Sequence, residues 1–232
     1  MKKSTKELLK TYVPLALIAI LIIVFSIINK QSFIKTLPTL ISLFVQILLV
    51  AADRKALMLG GLNSILYGIA YTLDGVYFSA IYAFAISFPV QIYSFFNWKK
   101  NSTGNKVELK TLGKIKLPLT IALILGAWAG VYFGLSHFFT GATLPEIDTL
   151  TFTLGVICTF LVAFRYVDSQ YISLIHNMIS LVMWIMITIE NPASFNYVII
   201  SVYNVYRVTQ ATVNWTRQYR NAKKQANTVA EA

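Results

Sequence analysis

Carboxylates are scarce in this chain. Nine Asp and Glu stand against twenty Lys and Arg in 232 residues, and all nine fall in tails, polar connections or the ends of apolar runs. That removes the acidic relay which proton-driven carriers hold inside the bilayer. Cysteine occurs once, as Cys158, which excludes an internal disulfide and a Cys-x-x-Cys metal or redox site. There are two histidines, and the sequence offers no clustered metal ligands, phosphate-cradling glycine loop or nucleophile–base pair. The chain therefore reads as a non-enzyme without cofactor or metal. Charge as a whole is short at 12%, where a soluble domain carries about 25%.

Apolar residues take that place, at 56% of the chain with 14% aromatic. Runs of spanning length, about 20 residues, fall at 12–29, 36–52, 56–73, 77–97, 117–139, 149–166, 170–189 and 194–215. The first follows Lys2, Lys3, Lys6 and Lys10 and has the outline of a secretory signal. It is long enough to span, however, and "NKQSF" after it offers no small-residue cleavage pattern, so it reads as a retained span. The expected fold is an all-α integral membrane protein with eight transmembrane helices.

Eight spans place both termini on one side, and the bases choose that side. Seventeen of the twenty Lys and Arg lie with the termini, Lys30 and Lys35 lie opposite, and Arg207 is inside the last span. By the positive-inside rule both termini are cytoplasmic, and the net charge of +11 is accounted for by topology and anionic lipid, with no nucleic-acid partner. The longest polar segment, "KKNSTGNKVELKTLGKIK" at 99–116, reads as a solvated cytoplasmic linker.

Residues 36–98 and 149–215 share a plan of three spans with short connections. They end in "NWKK" and "NWTR", and their middle spans align "LGGLN" with "SLIHN", setting Asn63 opposite Asn177. The span within 99–139 restores the orientation between them, which makes them parallel repeats. The domain plan is 1–30 as tail and extra span, 36–98 as first repeat, 99–139 as basic loop and linker span, 149–215 as second repeat, and 216–232 as tail. In short form it is one, then three plus one plus three.

Polar side chains inside a bilayer require a partner, so their helical faces are informative. At about 100° per residue, Gln170, Ser173, Asn177, Ser180 and Trp184 share roughly a quarter of the seventh span's circumference. Ser87, Gln91, Ser94 and Trp98 form a stripe on the fourth. On the eighth, Tyr203, Asn204, Arg207, Gln210 and Asn214 share about a third, and the third span adds Asn63, Tyr67 and Tyr71. Amides and aromatics on four helices suit a flat, polar ligand, with Pro89 loosening its helix to free a carbonyl. The alternative use of these groups is to tie helices together. Arg207 either lines the cavity or snorkels to the cytoplasm. Trp98 and Trp215 read as interfacial anchors, and His176 lies off the main stripe.

The pattern resembles the PnuC family of bacterial vitamin transporters over residues 36–217. The resemblance rests on the three-one-three plan, "GLNSILYG" at 61, "SFPVQIYSFFNWKKN" at 87 and "YISLIHNMISLVMW" at 171. It implies a SWEET-like architecture in the bacterial inner membrane, facilitated diffusion of a nucleoside-like compound, trapping by a cytoplasmic kinase, and a homotrimer. The substrate residues expected from the polar faces are Asn63, Tyr67, Gln91, Gln170, Ser173, Asn177, Trp184, Tyr203, Asn204 and Arg207. Nicotinamide riboside carriers of the family bear W-x-x-W-x-x-x-N in the penultimate span. Asn177 fits that motif, but Gln170 and Ser173 stand at the tryptophan positions. Tryptophan faces suit a cation, so the substitutions favour a neutral deoxynucleoside, as in the PnuN branch, over nicotinamide riboside and thiamine. A receptor would call for a structured cytoplasmic coupling region, and a channel for a continuous polar pore.

Overall fold

Every long element is helical in the computed structural model, which describes residues 5–103, 106–135, 138–139 and 141–230. The helices are α1 (Thr5–Ile28), α2 (Phe33–Val50), α3 (Lys55–Leu73), α4 (Tyr77–Lys100), α5 (Gly113–Leu135), α6 (Pro145–Ala163), α7 (Ser169–Glu190) and α8 (Phe195–Ala230). Eight rods among the described residues match the eight apolar runs. Five of them, α2, α3, α4, α6 and α7, are long and apolar enough to cross a bilayer, while α1 and α5 carry the shorter apolar stretches Val13–Ile28 and Pro118–Gly134. α8 is more polar, with Asn196, Asn204, Arg207 and Gln210 along it. Parts of the segments 1–30, 99–139 and 216–232, including Lys2, Lys3 and Glu231, lie outside the described residues.

A bilayer forces the backbone to satisfy its own hydrogen bonds, which is why the apolar runs are helices. One of them departs from α geometry. Residues Tyr82–Ser87 of α4 form a π turn immediately ahead of Pro89. Pro89 has no N–H to give the carbonyl four residues back, and its ring crowds that oxygen, so the turn before it widens.

The two ends of the bundle are held differently. At one, Lys35 pairs with Asp74, and the Asp74 carboxylate also accepts from Ser194 Oγ at 3.4 Å. Nearby, Asp148 accepts from the backbone N–H groups of Phe78 and Ser79 at 2.9 and 3.0 Å, satisfying donors that the start of α4 would leave unpaired. At the other end sit Trp98 and Trp215, both fully buried, with ring centroids 5.5 Å apart. The Trp98 indole donates to the carbonyl of Val162, and the Trp215 indole to that of Leu49, each at 3.0 Å. These tryptophans are therefore not the lipid-facing anchors expected from sequence; they close the interior of the bundle at that end.

Leu49 and Val162 correspond in a further way. Each carbonyl also accepts, at 2.9 Å, the N–H of the residue three positions on, Ala52 or Arg165. Both of those residues are left-handed, with φ of 53° and 69°, as the close of a helix commonly requires.

The segment after α4 is not a free linker. β1 (Ser102–Thr103) pairs with β2 (Lys106–Val107), and the strand-like continuation docks on the α6–α7 turn. Lys110 N–H donates to the Arg165 carbonyl at 2.9 Å, Val167 N–H to the Lys110 carbonyl at 2.8 Å, and Leu112 N–H to Asp168 Oδ2 at 2.7 Å. Val107 and Leu109 pack on the Trp98–Trp215 cluster. The basic composition concealed those two apolar contacts.

Candidate functional site: a charge-free cavity between two sets of helices

A cavity of about 260 Å³ lies among α2, α3, α4, α6, α7 and α8. Its walls repeat along the chain. From α2 and α6 come Ser42 and Gly155, Val45 and Cys158, Gln46 and Thr159, and Leu49 and Val162, each pair 113 positions apart (155 − 42, and so on). The same spacing relates the walls from α3 and α7: Gly60 to Ser173, Asn63 to His176, Ser64 to Asn177, Tyr67 to Ser180 and Tyr71 to Trp184. Asn177 thus corresponds to Ser64, one residue away from the alignment that set it opposite Asn63. His176, expected off the lining stripe, is on it. In the last helices the spacing becomes 117, for Ala83 with Ile200 and Ser87 with Asn204.

Eight of the ten residues expected to bind substrate line this cavity: Asn63, Tyr67, Gln91, Gln170, Ser173, Asn177, Trp184 and Asn204. Tyr203 and Arg207 are not among the lining residues. Tyr203 donates its hydroxyl to the Leu43 carbonyl at 3.2 Å, and Arg207 lies 5.9 Å from the Tyr203 ring centroid with its Nη1 on Gln210 Oε1 at 2.7 Å. At 7% exposure Arg207 does not snorkel freely either. The inward stripe of α8 is Tyr197, Ile200, Ser201 and Asn204. The polar ridge read from sequence is displaced from it because Tyr203 is used to bind α2.

The amides divide their groups between scaffold and cavity. Asn63 donates Nδ2 to the Pro38 carbonyl and to Ser42 Oγ, both at 3.0 Å, while its Oδ1 is buried without a protein partner. Gln170, 1% exposed, has neither side-chain atom engaged, and Gln46 Oε1 and Asn204 Oδ1 are in the same state. A buried polar atom left unpaired costs about 1–3 kcal/mol, so such atoms collected around one cavity point to a polar occupant. Gln91 donates to Ser87 Oγ at 2.6 Å and Ser64 Oγ at 3.3 Å, and Asn177 to the Ser173 carbonyl at 2.7 Å.

Aromatic rings crowd the wall nearest Asp74. Trp184 and Tyr197 have centroids 4.1 Å apart, Tyr71 and Trp184 5.4 Å, and Tyr67 and Tyr71 5.2 Å. Among the described residues no Lys, Arg, Asp or Glu lines the cavity. Among the described residues no three His, Cys, Asp or Glu come together as a metal site.

Sequence reasoning missed the contributions of α2 and α6, and Tyr82. The first two present mostly small or apolar walls with only Ser42, Gln46, Cys158 and Thr159 as signals. Tyr82, whose hydroxyl lies 2.6 Å from Thr159 Oγ1, is aimed by the π turn, which a regular helical period does not anticipate.

Comparison with curated proteins gives no match. Among solved structures, the crystal structure of the vitamin B3 transporter PnuC is similar at 18% identity, with a TM-score of 0.78 over 91% of this chain and 92% of that one. The family model for nicotinamide mononucleotide transporters matches residues 32–217. With most of its length matched by that model, and the eight-helix fold shared with the solved transporter, this chain belongs to the nicotinamide mononucleotide transporter (PnuC) family.

Proposed function

We propose that the protein is a uniporter that carries a nucleoside-like vitamin precursor through the cavity between two parallel three-helix repeats in a one plus three-one-three, SWEET-like topology, with both termini cytoplasmic in a bacterial inner membrane. The observation that carries this reading is the pairing of cavity walls at a spacing of 113 residues in two pairs of helices and 117 in the third. A site built from equivalent positions of two halves is the arrangement of carriers that work by moving one half against the other.

The chemistry of the walls narrows the cargo. Unpaired amide oxygens accept from ribose hydroxyls or a carboxamide, and the Tyr71–Trp184–Tyr197 faces suit a flat ring, above all a cationic one. A phosphate dianion would enter a site with no Lys or Arg among its described lining residues, which disfavours a nucleotide. Nicotinamide riboside meets these conditions best. A neutral deoxynucleoside is the second reading, favoured by Gln170 and Ser173, whose polar groups replace aromatic faces. A phosphorylated product could not return by this route, so a cytoplasmic kinase would trap the cargo. The homotrimer implied by the family resemblance belongs to the same proposal.

Solute counterflow in liposomes tests it. Preloaded nicotinamide riboside should drive uptake of the labelled compound, and nicotinamide mononucleotide should not. Counterflow with the nucleotide alone would overturn the assignment of a nucleoside cargo.

A further inference from the structure

The geometry points to a binding site for the headgroup of an anionic phospholipid on the outside of the α7–α8 seam, remote from the transport cavity. A second cavity, about 530 Å³, lies there between the first turn of α7 and the part of α8 beyond Trp215. Arg217, Arg220 and Lys224 line it together with Thr212, Thr216 and Tyr171. At about 100° per residue the three bases fall within roughly 60° of the α8 circumference, on the side away from buried Trp215. Tyr171 and Thr216 hydroxyls are 3.3 Å apart and join the two helices across the groove. Among the described residues no carboxylate lines it.

What separates this groove from an ordinary solvated basic face is its continuity with the lipid-facing surface. Tyr171 begins a stripe on α7 that continues through Ile175, Met178 and Val182, which are 52%, 54% and 52% exposed. Val213, also in the groove, belongs to a stripe on α8 with Val202 and Tyr206, at 52%, 55% and 53%. Apolar side chains so exposed in a membrane protein face acyl chains. The seam therefore offers an apolar track that ends in three bases and the Tyr171–Thr216 hydroxyl pair, on the side to which the base count assigns the cytoplasm. A basic pocket between transmembrane helices at that level recognises an anionic headgroup, and whichever hydroxyl of the pair accepts from the other keeps its own proton for a phosphate oxygen. A free phosphate would use the bases but gain nothing from the track.

The test uses the purified full chain, with thermal unfolding followed as phosphatidylglycerol, phosphatidylcholine or inorganic phosphate is added. Phosphatidylglycerol should stabilise in a saturable way, and the other two should not. Changing Arg217, Arg220 and Lys224 together to Gln should weaken that response by roughly 5-fold per base, on the order of 100-fold in all. Lys99→Gln with Lys100→Gln, which removes charge at the end of α4, should leave it intact. Equal stabilisation by phosphatidylcholine, an equal effect of phosphate, or an undiminished response in the triple variant would overturn the proposal. So would a triple variant whose only change is its oligomeric state, since the seam would then be an interface between copies.

Discussion

Gly60 offers the sharpest test of the cavity. A Cβ built there would lie 2.4 Å from Gln91 Oε1 and 3.4 Å from Val45 Cγ1. The first distance is about 1 Å inside ordinary contact and the second is acceptable, so Gly60→Ala must displace the Gln91 amide and little else. That amide is held by Ser87 and Ser64, and each such bond is worth about 0.5–1.5 kcal/mol net. Moving it should cost 1–3 kcal/mol of binding, or roughly 5- to 150-fold in affinity. Helix propensity runs the other way, since Ala exceeds Gly by about 1 kcal/mol in a helix interior, so the variant should remain folded. The measurement is nicotinamide riboside titration and thermal unfolding of Gly60→Ala, Gln91→Ala and the double variant. Once Gln91 is shortened the clash is gone, and Gly60→Ala should have almost no further effect. Additive losses would refute the reasoning, because Gly60 would then act by a route other than Gln91.

Trp98→Phe and Trp215→Phe should each lose one indole bond of about 1 kcal/mol and lower the unfolding temperature by similar amounts. Strongly unequal shifts would contradict the equivalence of the two positions. Cys158 lines the cavity and is the sole cysteine, so a thiol reagent should label it and saturating substrate should slow the labelling; an unchanged rate would place the substrate elsewhere. Liposomes containing the protein alone should equilibrate substrate without an ion gradient, because no carboxylate lines the cavity among the described residues. Accumulation that collapses with a protonophore would refute uniport.

Hydropathy made the rods legible to within a few residues at most ends, since 56–73 became Lys55–Leu73 and 170–189 became Ser169–Glu190. It placed the end of α8 too early. Its criterion is apolarity, and "RQYRNAKKQAN" continues as helix through strong helix formers without being apolar. Stripe analysis succeeded on α7, where Gln170, Ser173, Asn177, Ser180 and Trp184 all reach the cavity. It was displaced on α8, where polarity marked both the cavity and a helix contact, and it was silent on α2 and α6, whose walls mix aliphatic with small polar side chains and carry a single amide, Gln46. The register of the repeat was off by one because Asn is a conspicuous letter. Equivalent places hold Asn63 and His176, or Ser64 and Asn177, and nothing in the residue types shows that.

The crossed indole bonds bear on how such a carrier idles. Trp98 ties the end of α4 to α6 and Trp215 ties the end of α8 to α2, so each strut belongs to one half and its anchor to the other. In the proposed carrier, parting the halves at that end would break both struts, their ring contact and the bond from Asn97 Nδ2 to the Ala163 carbonyl at 2.8 Å. At about 1 kcal/mol for each indole bond and a similar amount for the rings, these contacts would keep that end closed in most molecules of the empty protein. Cargo can change this only through the margin by which it prefers the open form. In the proposed carrier such a gate would leak little when there is nothing to carry, and each opening would require two tryptophans to let go.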